Sequence, residues 1–227
     1  MHLRCEKCSR GRGGGGGWPK NHVSECGSDV TEGLSLLDVD KINALYDCQG
    51  CHRHRWRPMT SLTSDDKSDM YHFGYYGKRG SRLFPCRGYV EGELAIGKYD
   101  DSKNICYISY GSTVKKLTSE AEVLTIPGGL SRGGFSYKLI SSDRYSDSEL
   151  IRIAVPAGRV GRIPFDTERG VGYIAYTTFF EDNGVKVDSI GKVWNRAGEL
   201  NVAHFPHGPA EKLVSDEEFY VMTCSKD

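Results

Sequence analysis

An internal repeat constrains this chain more than any other feature. Ile96-Gly97-Lys98 recurs as Ile190-Gly191-Lys192, and Glu122-Val123-Leu124-Thr125 returns as Tyr220-Val221-Met222-Thr223. Between them, Cys106-Tyr107-Ile108-Ser109-Tyr110-Gly111 reappears in degraded form as Ala203-His204-Phe205-Pro206-His207-Gly208. The order is kept, and the offset rises from 94 at the Gly-Lys pair to 97 at the loop glycine and 98 at the closing valine. Chance matches have no reason to drift one way, whereas a duplicated unit that collects small insertions does. The Pro- and Gly-rich stretch 126–134 falls between the copies, where a boundary belongs.

Within the repeats, short apolar or aromatic runs are bounded by Gly, Asp, Asn and Pro, the texture of antiparallel β structure. Gly92–Gly97, Ile105–Tyr110, Val171–Phe180 and Phe219–Thr223 read as strands. With 28 Gly and 13 Tyr against 8 Pro, the composition suits a turn-rich β protein. The expected fold class is all-β: two pseudo-symmetric antiparallel β repeats with one short N-terminal helix. The expected organisation is a Gly-rich tail over 1–33, a helix and linker over 34–55, repeat one over 56–125, a linker over 126–136 and repeat two over 137–227.

The tail carries Arg-Gly-Arg followed by five glycines, which packs nothing. Residues 34–48 carry the helical signal: Ser35 and Asp38 are spaced as a partial capping box, and Val39, Ile42, Leu45 and Tyr46 share one face. Thirty basic and thirty acidic residues leave no global field to favour nucleic acid or an anionic membrane, so neither is expected as a partner. No run approaches the ~20 apolar residues of a spanning helix, and the first residues, MHLRCEKC, hold no apolar export core. The compartment stays open.

Of the eight cysteines, Cys5, Cys8, Cys26, Cys48 and Cys51 lie near the N-terminus. Cys5-x-x-Cys8 and Cys48-x-x-Cys51 resemble zinc knuckles, but 39 residues separate them, where about 15–20 are usual. Neither a metal nor another cofactor is expected. Cys86, Cys106 and Cys224 fall in presumptive strands and read as small buried thiols.

Two resemblances add to this reading. Gly33, Leu34, Ser35, Asp38, Lys41, Ile42, Asn43, Leu45, Tyr46 and Cys48 resemble the helix that closes the catalytic domain of the astacin zinc metallopeptidases. The H-E-x-x-H helix that such an enzyme needs for zinc is absent, so no protease activity is expected. The repeats resemble the DM9 family over about residues 56–224. In copy one Gly80, Arg87, Gly92-Glu93-Leu94, Gly97-Lys98, Cys106-Tyr107, Tyr110-Gly111 and Glu122-Val123-Leu124 follow its spacing. In copy two Gly170 and Tyr173-Ile174 fit, Thr177 stands in place of the arginine, and four extra residues precede Gly191-Lys192.

The DM9 resemblance implies a non-enzymatic lectin-like protein for mannose-type glycans. Its sugar contacts are a carboxylate before the turn glycine and the lysine of the Gly-Lys pair. A carboxylate accepts from sugar hydroxyls while an ammonium donates to them, so a fixed pair reads their geometry. By position the lysines are Lys98 and Lys192. The carboxylate slot in copy one is Gly77, with Glu91 or Glu93 as substitutes; in copy two it is Thr167, flanked by Asp166 and Glu168. Arg87 is a further candidate contact, or a structural hydrogen-bond donor. Without the family spacing, a Gly-Lys pair marks a turn with a solvated lysine. Tyr71, Phe73, Tyr75 and Tyr76 alternate like a strand and offer either stacking surfaces or core packing. Two half-sites suggest avidity and a possible homodimer. The alternatives are a metallopeptidase fragment with accessory repeats and a structural repeat protein with decayed sugar sites.

Overall fold

A computed structural model describes residues 54–72, 74–76, 81–132, 135–144, 146–160, 170–180, 184–195, 201–215 and 218–226 of the unit His54–Asp227. The expected tail and helix before residue 54, the turn with Gly77 and Gly80, and the stretch with Asp166, Thr167 and Glu168 lie outside the described residues.

Copy one contains β1 (Arg55–Pro58), α1 (Ser64–Asp69), β2 (Gly74–Tyr76), β3 (Ser81–Val90), β4 (Glu93–Asp100), β5 (Ile105–Tyr110), β6 (Thr113–Leu117) and β7 (Ala121–Thr125). After β8 (Ser131–Arg132), copy two repeats the order with β9 (Phe135–Ser141), α2 (Asp147–Ile153), β10 (Pro156–Val160), β11 (Val171–Phe180) and β12 (Lys186–Trp194). It ends with β13 (Val202–His207), β14 (Ala210–Ser215) and β15 (Tyr220–Lys226). The chain is all-β, with strands where the alternating patterns placed them.

Within each copy four consecutive strands form an antiparallel meander, β3-β4-β5-β6 and β11-β12-β13-β14. The meanders join at β6 and β14, where Thr113 faces Ala210. On the far side β10 pairs with both β11 and β4. The circuit β4-β5-β6-β14-β13-β12-β11-β10 therefore closes as an eight-stranded antiparallel barrel, which removes the exposed edges of an open sheet. Outside it, β7 lies on β3 and β15 on β11, extended by β1 and β9 respectively.

The registers superimpose the copies residue by residue. Cys86 faces Gly97 and Val123, and Ala175 faces Gly191 and Val221. This corrects one expected pairing: Arg87 faces Ile96 and Glu122, so its counterpart is Tyr176, which faces Ile190 and Tyr220, and not Thr177. It follows that five extra residues, rather than four, precede Gly191-Lys192, and they enlarge the β11–β12 connection. Arg87 and Thr177 lie equally far beyond the turn glycines Gly80 and Gly170, so spacing from those glycines matches them, while strand pairing moves the match by one residue.

The two short helices, α1 and α2, were not expected. Each starts with a capping box, Thr63 with Asp66 and Ser146 with Glu149, and each is followed by a bridge to the copy's last strand, Met70 to Thr125 and Ala154 to Thr223. At six and seven residues they are too short to show apolar periodicity, and α1 buries none of its residues. Among the described residues of the aromatic run, Gly74–Tyr76 forms a strand and Tyr71 precedes it.

Among the described glycines, Gly97 and Gly191 are where neighbouring backbone comes closest. A Cβ on Gly97 would lie 1.9 Å from the Tyr107 carbonyl oxygen, and one on Gly191 would lie 2.1 Å from that of His204. Only glycine lets the next strand fold over the sheet so closely. In copy one this brings β3 and β5 together across β4. Cys86 and Cys106, with Cα atoms 6.1 Å apart, form a disulfide, which corrects their reading as thiols. Cys224 is disulfide-bonded as well. The positions equivalent to Cys86 and Cys106 in copy two are Ala175 and Ala203, both fully buried, so two methyl groups fill the place of the bridge.

Gly97→Ala and Gly191→Ala are each expected to lower stability by about 3 kcal/mol, since backbone must move to admit one methyl group; urea unfolding measures this. Replacing both Cys86 and Cys106 by alanine imitates copy two. The bridge spans 20 residues, so the loss expected is about 3 kcal/mol, read from the unfolding midpoint against wild type in oxidising buffer.

Candidate functional site

The two Gly-Lys lysines are not turn residues in solvent. Lys98 and Lys192 lie within β4 and β12, 5% and 3% exposed. A buried ammonium needs partners, and each lysine finds one on the opposite copy. Lys98 Nζ donates to Ser189 Oγ of β12 at 3.4 Å, and that hydroxyl donates to the Pro206 carbonyl at 3.1 Å. Lys192 Nζ pairs with the Glu93 carboxylate of β4 and lies 5.6 Å from the Tyr110 ring centroid and 5.2 Å from that of Trp194. Glu93 thus supplies a carboxylate, as one expectation had it, but to the lysine of the other copy. Glu91 sits in a left-handed turn (φ 51°), exposed, 3.8 Å from Lys115.

Each lysine reaches across to the other copy, but the two partners stand at different positions of the repeat. By register, Val187 stands in copy two where Glu93 stands in copy one, Ala95 matches Ser189, and Asp100 matches Trp194. These differences make the two lysine environments chemically distinct.

Around Lys98 a cleft of about 210 Å³ opens, lined by Leu83, Lys98, Asp100, Lys103, Tyr107 and Lys116 of copy one and by Pro206 and Gly208 of copy two. Lys98 and Asp100 are two residues apart on β4 and so share one face. Asp100 accepts from Lys103 Nζ at 2.8 Å, from Ser102 Oγ at 2.6 Å and from the Ser102 amide at 3.1 Å. Burial pushes its carboxyl up, but these donors outweigh that and hold it below the ordinary carboxylate range. Burial lowers Lys98 to about 8; the Asp100 charge opposes this and the Lys103 charge adds to it. The Tyr107 ring forms a wall, with the Lys103 and Lys116 ammonium groups each 6.0 Å from its centroid.

The same place in copy two is filled. Gly172 replaces Leu83, and a Cβ there would lie 2.5 Å from the Trp194 indole, which packs into the space. Leu213 replaces Lys116, and His204 replaces Tyr107 with its ring nitrogen 3.0 Å from Glu211. Lys192 does not line the cleft. Arg87 does not either: its guanidinium pairs with Glu122 at 2.7 Å and lies 4.4 Å from the Trp56 ring centroid. Its counterpart Tyr176 packs against Tyr220 with centroids 6.3 Å apart.

Sequence reasoning missed Asp100, Lys103, Tyr107 and Lys116 as neighbours of Lys98. Asp100 had a local signal, its period-two spacing, and Lys103 follows it by three residues in the β4–β5 turn; Tyr107 and Lys116 arrive by strand pairing, Tyr107 opposite Lys98 and Lys116 opposite Tyr107. Among the described residues no three His, Cys, Asp or Glu side chains gather as a metal site.

No protein-family model matches the chain, and no curated protein matches it. Among solved structures it is similar to the nematode sperm cell motility protein MFP2B, at 16% identity and a TM-score of 0.48. The match covers 77% of this chain and 45% of that one, so this chain spans less than half of that protein's length.

Removing one member of a buried ion pair strands the other charge. Glu93→Gln is expected to cost about 3 kcal/mol in chemical unfolding, while Glu93→Leu combined with Lys192→Met recovers most of that loss.

Proposed function

We propose that this chain is a non-enzymatic carbohydrate-binding protein whose ligand seat is the copy-one cleft around Lys98. The observation that carries the reading is the placement of Lys98, Asp100 and the Tyr107 ring on one small concavity. An ammonium that donates, a carboxylate that accepts and an aromatic wall are the groups that a sugar ring's hydroxyls and C–H face engage. At about 210 Å³ the cleft is below the about 300–1,000 Å³ typical of drug-sized ligands, which suits one sugar unit of a longer glycan. The DM9 resemblance points to the same lysine and to mannose-type glycans.

Copy two plays a structural part in this reading. Trp194 fills its equivalent cleft and Glu93 neutralises its lysine, so it completes the barrel and lends Pro206 and Gly208 to the wall of the other site. A single shallow seat of this kind implies weak affinity for a monosaccharide, with avidity for multivalent glycans where seats are clustered.

The test is retention on immobilised mannan and titration with mannose. Lys98→Met keeps the buried stem and removes the ammonium, and Asp100→Asn removes the charge; each is expected to weaken binding by about tenfold or more. Tyr107→Ala is expected to weaken it several-fold. Retention also falls as pH rises through about 8, where Lys98 passes from ammonium to amine. Unchanged retention by Lys98→Met and Asp100→Asn would remove the cleft from the site.

A further inference from the structure

Resting on that reading, we propose that the preferred ligand of the cleft is an acidic glycan, a sugar unit bearing a phosphate, sulfate or carboxylate group, held by Lys98, Lys103 and Lys116. Among its described lining residues the cleft places these three ammonium groups around one carboxylate, that of Asp100. That carboxylate already accepts from Lys103 and Ser102. The chain as a whole has zero formal charge, so this local excess is not a sample of a basic surface.

A neutral sugar needs no such excess. One donor and one acceptor satisfy a pair of vicinal hydroxyls, and further ammonium groups only repel each other in a partly desolvated space. The repulsion is visible at Lys98, where the Lys103 charge works against protonation. An anionic substituent turns that cost into attraction and forms charge-assisted hydrogen bonds with the same donors. Tyr107 sets the geometry: the Lys103 and Lys116 ammonium groups each lie 6.0 Å from its ring centroid, so a sugar stacked on the ring brings its substituents within their reach. The repeat supplies a comparison within the molecule. Where copy two has lost the cleft to Trp194, the position of Lys116 is held by Leu213, so charge and cavity go together.

The full chain is titrated calorimetrically with mannose, a mannose phosphate ester, a mannose sulfate ester, a uronic acid and inorganic phosphate. At least one acidic sugar is expected to bind about tenfold tighter than mannose at low salt, with the advantage shrinking as salt screens the lysines. Whichever acidic sugar binds tightest names the anionic group. Lys116→Gln, an exposed strand position, is expected to cut that advantage several-fold, and Lys115→Gln, on the opposite face of β6, leaves it intact. Equal binding of mannose and all acidic sugars overturns the acidic preference while the carbohydrate reading stands. Binding of inorganic phosphate as tight as that of any sugar overturns both the carbohydrate reading and the acidic-glycan ligand. Absence of binding by every probe overturns both as well.

Discussion

Two glycines admit the closest strand-to-strand approaches seen at the described glycines of this barrel. At Gly97 and Gly191 the following strand folds so closely over the central one that its carbonyl oxygen occupies the place of a side chain. No other residue permits that approach, and from it the rest of the interior follows. The bend draws β3 toward β5, which is where copy one puts its disulfide and copy two a pair of alanines. It also places the next residue of each central strand, Lys98 or Lys192, inside the molecule rather than at its surface.

Burying one lysine from each copy inside the same barrel poses an electrostatic problem, and the two copies meet it in different ways. Lys192 is neutralised by Glu93 and covered by Tyr110 and Trp194, an arrangement that favours stability and leaves the lysine no part in the cleft. Lys98 has Ser189, a weaker partner, and looks onto a cleft shared with Asp100, Lys103, Tyr107 and Lys116. A duplicated unit thus divides into one copy that braces and one that presents chemistry. The division runs through single residues, Glu93 against Val187, Asp100 against Trp194 and Leu83 against Gly172.

Much of the fold was legible from the chain. Alternation of apolar residues located the main strands, and the drifting offsets located the copies, because each strand pair must preserve its register when a unit is duplicated. The short helices were legible only as capping boxes, since six or seven residues hold no apolar period. The candidate site was legible only at Lys98. Tyr107 and Lys116 are separated from it by strand turns, and Asp166, Glu168 and the helix of residues 34–48 lie outside the described residues.

By itself, the sequence determined that this is a duplicated antiparallel β protein with a Gly-Lys pair at the same place in each copy, because alternation and spacing are local properties of a strand. The tertiary structure decided everything that depends on what crosses from one strand or one copy to another. It paired Cys86 with Cys106, aligned Arg87 with Tyr176, gave Glu93 to the far lysine and let Trp194 fill one of two equivalent clefts. Contacts of that kind depend on the curvature of a closed barrel, and no linear spacing carries that curvature.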